Sequence, residues 1–218
     1  MLRKILIAVA VLIIVLVIVI ATRPGTYRVT RSATMAAPPT VVYAQIADFH
    51  RWDAWSPWAK LDPAMKATFG GSPSGPGAAY AWTGNDKVGE GKMLITAARP
   101  GQEVDIKLDF LKPFEATSAT SFVLEPAGAG TKVTWSMSGD SNFFMKAMSL
   151  VSDMDAEVGK DFDRGLASMK TVSEAEAKRQ AEEAAKKAAE AAAAQAAADA
   201  AAAQAAAAAK PAKGAKKK

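Results

Sequence analysis

Residues 142–172 read NFFMKAMSLVSDMDAEVGKDFDRGLASMKTV. From Phe143 onward, Ala147, Leu150, Val151, Met154, Val158, Phe162, Leu166 and Met169 recur every three or four positions, the period of one helical face. Lys146, Asp153, Asp155, Glu157, Lys160, Asp161, Asp163, Arg164 and Lys170 fall between them, so the opposite face is charged and reads as solvated. At 1.5 Å per residue this predicts one helix roughly 40 Å long, which needs a large apolar surface to lie on. Gly159 and Gly165 each weaken that helix by about 1 kcal/mol relative to alanine. Two explanations are open for them: close packing of the helix backbone on a sheet, or space for something bound between helix and sheet.

The residues before this stretch supply the sheet. Tyr27–Met35 alternates and is β-rich, and Ala36–Pro39 ends it, with Pro38 and Pro39 placed to start a short helix over residues 41–48. Strands follow at Met65–Phe69, Ala78–Trp82 and Gly89–Ala98. Glu103–Phe110 alternates cleanly, with Val104, Ile106, Leu108 and Phe110 on one side, as in a half-buried antiparallel strand. Ala116–Glu125 and Thr131–Met137 then form a hairpin. The order is strand, two short helices, about six strands and a long helix, an α+β pattern.

Both ends of the 218-residue chain differ in composition from this middle, which gives three parts: residues 1–25, 26–172 and 173–218. Ile5–Ala21 is an unbroken apolar run of 17 residues, at the short end of the range for a membrane-spanning helix. The competing reading is a cleaved signal peptide, but Ile18, Val19 and Ile20 before Ala21 make a poor cleavage site. A single-pass anchor is expected. Arg3 and Lys4 are balanced by Arg23, Arg28 and Arg31, so charge does not set the orientation. A short N-terminus ordinarily stays in the cytoplasm, which would put the domain in the periplasm.

The formal charge of +5 is concentrated at the other end, where residues 173–218 hold nine Lys and Arg against six acids. From Ser173 to Ala209 the chain is almost all alanine and predicts a long helix with pairs Glu182–Lys186 and Glu183–Lys187. Lys210–Lys218 reads as a flexible basic end, either a solubilising spacer or a contact with anionic lipid, cell-wall polymer or nucleic acid. A membrane anchor argues against the last.

Asp48–Asp62, DFHRWDAWSPWAKLD, places Trp52, Trp55 and Trp58 within seven residues. They either close one end of the core or line the mouth of a cavity, where a large amphipathic ring suits a half-wet position. The element order resembles the helix-grip fold of the START-like (SRPBCC) superfamily, which includes polyketide cyclase/dehydrase-like and lipid-transport proteins. The resemblance covers residues 27–170. Asp48–Asp62, Tyr80–Gly91 (YAWTGNDKVGEG) and Lys107–Glu115 (KLDFLKPFE) are similar to its membrane-anchored bacterial branch. It implies a curved antiparallel sheet with two short helices, capped by a long C-terminal helix, the two enclosing an apolar cavity.

The chemistry of the side chains narrows the function. With no cysteine and only one histidine, His50, a zinc or iron site lacks ligands, and no cofactor is implied. No serine sits in a nucleophile elbow, and His50 reads as a surface or helix-end residue. Asp109 and Glu115 are the best carboxylate pair for acid/base work, but Asp109 falls on the polar side of its strand. The strongest signal is the aromatic and thioether content of surfaces expected to face each other. Trp55, Trp58, Tyr80, Trp82, Met93, Phe110, Trp135 and Met137 come from the sheet and the tryptophan run; Phe143, Met148, Met154 and Phe162 come from the helix. Tyr80 and Asn85 are the candidate polar groups. A mostly apolar pocket with few polar groups suits a small molecule, so the chain reads as a membrane-tethered binder of a hydrophobic or lipid-like molecule. The alternatives are a cyclase/dehydrase-like enzyme, which needs an ionisable residue inside the cavity, and a module recognising protein or polymer through the tryptophans and basic tail.

Overall fold

The computed structural model of the chain describes residues 1–208, with side chains as far as residue 205. It divides into two units, Met1–Ala175 and Glu176–Lys218. In the first, α1 (Leu2–Ala21) is followed by β1 (Thr26–Met35), α2 (Pro39–Ala47), a 3-10 helix (Phe49–Ala54), six more strands and two helices. The strands are β2 (Lys66–Gly71), β3 (Ala78–Thr83), β4 (Glu90–Arg99), β5 (Glu103–Lys112), β6 (Ala116–Ala127) and β7 (Gly130–Asp140). They form one seven-stranded sheet in the order β1-β7-β6-β5-β4-β3-β2. All its pairings are antiparallel, with β1 closing against β7. Register shifts between Glu90 and Gly91 and between Ile95 and Ala97 interrupt the β4–β5 ladder, the device that bends a sheet.

The helix predicted to run unbroken from Phe143 is two helices. α3 (Phe143–Met148) begins at Asn142, whose side chain accepts the Met145 N–H. The chain leaves it through Ser149 and re-enters helix at α4 (Met154–Ala208), where Asp153 accepts the Asp155 and Ala156 N–H groups. Asn142 and Asp153 each satisfy orphan donors of a first turn, and two such caps 11 residues apart specify two helices. Leu150 and Val151 are therefore exposed instead of continuing the apolar stripe. From Phe162 the stripe holds, and Phe162, Leu166 and Met169 are buried.

Asp155, Glu157 and Asp163 of α4 stand on its exposed face, as the sequence predicts, but two of them are also engaged by the sheet. Val29 and Arg31 share the inner face of β1, and Val29 is buried while Arg31 reaches α4. Its guanidinium donates to both carboxylate oxygens of Asp155, at 3.0 and 3.1 Å, and to the Asp155 carbonyl at 2.8 Å. Asp163 lies 3.5 Å away on the next turns. These hydrogen bonds hold the Asp155 carboxyl below the usual carboxylate range. Gly159 sits between the two acids because a β-carbon there would run into the guanidinium. At Gly165 a β-carbon would meet the Trp135 ring at 2.8 Å and Pro57 at 3.1 Å.

α2 ends against the tryptophan run. Trp52 Nε1 donates to the Ile46 carbonyl and Trp55 Nε1 to the Gln45 carbonyl, both at 3.0 Å, and Gly75 N–H takes the Ala47 carbonyl at 2.8 Å. Three carbonyls that a helix C-terminus leaves unpaired are satisfied by two indoles of the core and a buried loop glycine.

α1 is the one helix among the described residues long and apolar enough to cross a membrane. In the second unit α4 continues to Ala208, and Glu182 and Glu183 pair backward with Lys178 and Arg179 instead of forward with Lys186 and Lys187. The basic end at Lys210–Lys218 lies outside the described residues.

The two helix glycines will respond differently to alanine. Gly165→Ala should lower stability by about 1–3 kcal/mol, because rigid rings on both sides cannot give way. Gly159→Ala should stabilise by about 1 kcal/mol in an Arg31→Ala background, where only helix propensity changes, and clearly less or not at all when Arg31 is present. Thermal unfolding of the four variants measures this coupling.

Candidate functional site

The inner face of β5 changes character along its length. Val104 and Ile106 are sealed at 0% and 2% exposure, whereas Leu108 and Phe110, next on the same face, are half-buried. What they border is a partly enclosed cavity of about 320 Å³ between the sheet, the tryptophan run and the start of α4. Tyr80, Trp82, Met93, Leu108, Phe110 and Met137 form its sheet side; Trp58, Ala59 and Met65 come from the connection after the 3-10 helix, and Val158 and Asp161 from α4.

Cross-strand register explains the aromatic wall. Tyr80 pairs with Met93 and Trp82 with Gly91, so both rings lie on the inner face. A side chain at Gly91 would meet the Trp82 ring, at 2.6 Å from Cζ2, and this glycine is what lets the indole lie flat across β4. Trp82 Nε1 donates to the Val88 carbonyl at 2.9 Å, and its ring stacks on Tyr80 with centroids 5.9 Å apart. Trp58 meets Trp135 and Phe162 edge-on.

The twelve large apolar candidates therefore separate by position, and Phe143 is exposed on α3. Trp58, Tyr80, Trp82, Met93, Phe110 and Met137 line the cavity. Trp55, Trp135 and Phe162 are fully buried, with Trp135 and Phe162 stacked at 3.9 Å. Met148 is exposed on α3, and Met154, at the start of α4, borders a different hollow beside β1. Of the three tryptophans, Trp55 closes the core, Trp58 faces the cavity, and Trp52 is buried but also borders the cavity. Leu108, Met65 and Val158 were not singled out in the sequence, although Leu108 belongs to the same alternating strand as Phe110 and Val158 to the helical stripe.

The charged groups lie at the mouth. Asp53, Asp86, Lys87 and Lys112 are exposed there, Lys112 paired with Glu90 at 2.7 Å, and Asp161 pairs with Arg164. Tyr80 and Ser56 supply the hydroxyls of the lining, and burial raises the pKa of the Tyr80 phenol, with the Asp53 charge adding to the effect. It stays protonated at neutral pH and can donate a hydrogen bond. Asn85 is a turn residue whose side chain accepts the Lys87 N–H. Asp109 is on the other face of β5, where the Thr117 hydroxyl and then the Lys107 ammonium hold its carboxyl below the usual range, so it stays ionised. Glu115 is exposed in the β5–β6 turn. His50 stacks on Phe69 at 4.1 Å and lies 2.9 Å from Asp48. Neither carboxylate nor the imidazole reaches the cavity.

Residues 26–174, which hold the whole sheet and the cavity, match the family described as polyketide cyclase/dehydrase and lipid transport. The chain belongs to that family. It is a START-like (SRPBCC) protein with the family's helix-grip architecture. Among curated proteins none matches it. Solved structures of similar fold include the KanY protein, 15% identical, with 69% of this chain and 99% of that one aligned at a TM-score of 0.52. The Aha1 dimer from Colwellia psychrerythraea is 16% identical over 68% of this chain and 96% of its own, with a TM-score of 0.50. An uncharacterized protein from Rhizobium leguminosarum is 13% identical over 67% and 93%, also at 0.50. At these identities the likeness is one of fold.

Absorbance titration of the wild type against Tyr80→Phe should resolve a phenol ionising above about 10, the ordinary tyrosine value. Asp53→Asn should move that midpoint down only part of the way, since burial is the larger cause.

Proposed function

We propose that this START-like domain binds an apolar or amphipathic molecule, lipid-like in character, and that α1 holds it at a membrane. The observation that carries the reading is the half-enclosed cavity walled by aromatic rings and methionines beneath the first turns of α4. Rings supply large apolar area with little conformational entropy, and methionine adapts to irregular guests. At about 30 Å³ per water-sized atom, 320 Å³ holds roughly ten non-hydrogen atoms. That accommodates a segment of an acyl or isoprenoid chain with its head at the charged mouth, and not a two-chain lipid entire. The Tyr80 phenol offers one internal hydrogen bond for orientation.

The family description names lipid transport beside cyclase/dehydrase chemistry. The arrangement favours binding over the second activity, because Asp53 and Asp86 stand exposed at the cavity mouth and the half-buried Asp161 of its wall is paired with Arg164.

Native mass spectrometry of the detergent-extracted full chain tests the binding. The wild type should carry a hydrophobic adduct, and Met93→Trp or Leu108→Trp, which fill the cavity, should reduce its occupancy about tenfold, equivalent to roughly 1.4 kcal/mol. An adduct retained unchanged in folded filled-cavity variants, or none across repeated lipid-rich preparations, would refute the reading.

A further inference from the structure

The largest apolar exposure outside α1 is concentrated in one short segment. Phe143, Phe144, Met148, Leu150 and Val151 are all exposed, from 38% at Leu150 to 82% at Val151, and all lie on α3 or directly after it. The patch extends to Phe114 in the β5–β6 turn, whose ring packs on Phe144 at 4.5 Å and is itself exposed. Contiguous exposure of this kind marks an interaction surface.

Its position identifies what it meets. Arg23, two residues beyond the end of α1, donates from Nη2 to the Ser149 carbonyl at 2.7 Å and from Nε to the Ser149 hydroxyl at 3.3 Å. The C-terminal end of α3 is thus tied to the C-terminal end of α1, where a spanning helix would leave the bilayer. Beside this tie lies a hollow of about 630 Å³ lined by Arg23, Arg28 and Lys146. Asp153 and Asp155 also line it, but Asp153 caps α4 and Asp155 is engaged by Arg31. Arg28 and Lys146 have no carboxylate partner among the described residues.

We propose that Phe143–Val151 is a second membrane contact: its apolar side chains enter the interfacial layer of the bilayer that α1 crosses, while Arg23, Arg28 and Lys146 meet the phosphates of anionic phospholipid. Aromatic and aliphatic side chains beside basic ones are the composition of interfacial segments. The proposal rests on the anchoring role given to α1. With α1 already inserted, the second contact forms within one molecule at high effective concentration, so a patch of five side chains suffices.

The chain has no cysteine, so single-cysteine probes are unambiguous. Full chains carrying Val151→Cys, Val11→Cys in α1, or Gln102→Cys in the β4–β5 turn, each labelled with an environment-sensitive fluorophore, are reconstituted into phosphatidylcholine vesicles with and without phosphatidylglycerol. Brominated lipid should quench the Val151 probe about twofold or more, as for a group at the headgroup–acyl boundary, and more strongly when phosphatidylglycerol is present. The Gln102 probe should be unaffected. If the Val11 probe is quenched and the Val151 probe behaves like Gln102, the second contact is overturned and the anchor stands. If neither is quenched, both fall. A Val151 probe shielded from water but insensitive to brominated lipid means that a protein covers the patch, which also overturns the proposal.

Discussion

Trp135 on β7 and Phe162 on α4 stack almost parallel, 6° apart with ring centroids at 3.9 Å, and the distance between helix and sheet follows from that contact. Such proximity requires a residue without a side chain on the neighbouring turn, which Gly165 supplies by accepting the edge of the same indole. Phe122 stacks on the far side of Trp135 at 4.9 Å, and Trp55 meets both edge-on, so the helix is seated on a block of buried rings. Aromatic pairs contribute about 0.5–1.5 kcal/mol each beyond the area they bury. That block makes this the firm end of the helix–sheet contact.

The seat lies over the β1–β7–β6 half of the sheet, and this off-centre placement is what leaves a cavity. Helices that lie across a sheet bury only the strands beneath them, and here β5, β4 and β3 extend beyond the seat. α2 and the tryptophan run cover part of the remainder. Over Leu108, Phe110, Met93 and Tyr80 the cover is incomplete, and the side chains there are half-buried while Val104 and Ile106 on the same face of β5 are sealed. The site is thus a consequence of where one helix is pinned, and the residues lining it need only be large and apolar.

Much of this was legible because its signals are local. The β5 alternation Val104-Ile106-Leu108-Phe110 placed those side chains on one face, and the turn residues bounded the strands to within a few positions. The spacing of Phe162, Leu166 and Met169 identified the buried face of α4. The break before Met154 was misread, since apolar residues at Leu150 and Val151 keep the helical period while Asn142 and Asp153 specify two helix starts. Arg31 was opaque for a different reason: its partners Asp155 and Asp163 are more than 120 residues away, and acids spaced along a helix look the same whether they face water or a guanidinium. Which large rings line a cavity and which fill a core was equally beyond pattern. Trp55 and Trp58 are three residues apart in one run, yet the Trp55 indole is buried under the end of α2 and Trp58 borders the cavity.

The same geometry makes the two ends of the sheet-facing part of α4 unequal. Its later turns rest on buried rings. Its first turns carry Val158 and Asp161 of the cavity wall and are held by Arg31 to Asp155, a pair whose carboxylate is more than half exposed. Ion pairs in that setting are weakened by water and salt, whereas ring stacking is not. The softer end of the contact therefore lies over the cavity, and it continues directly into the exposed segment that joins α4 to α3.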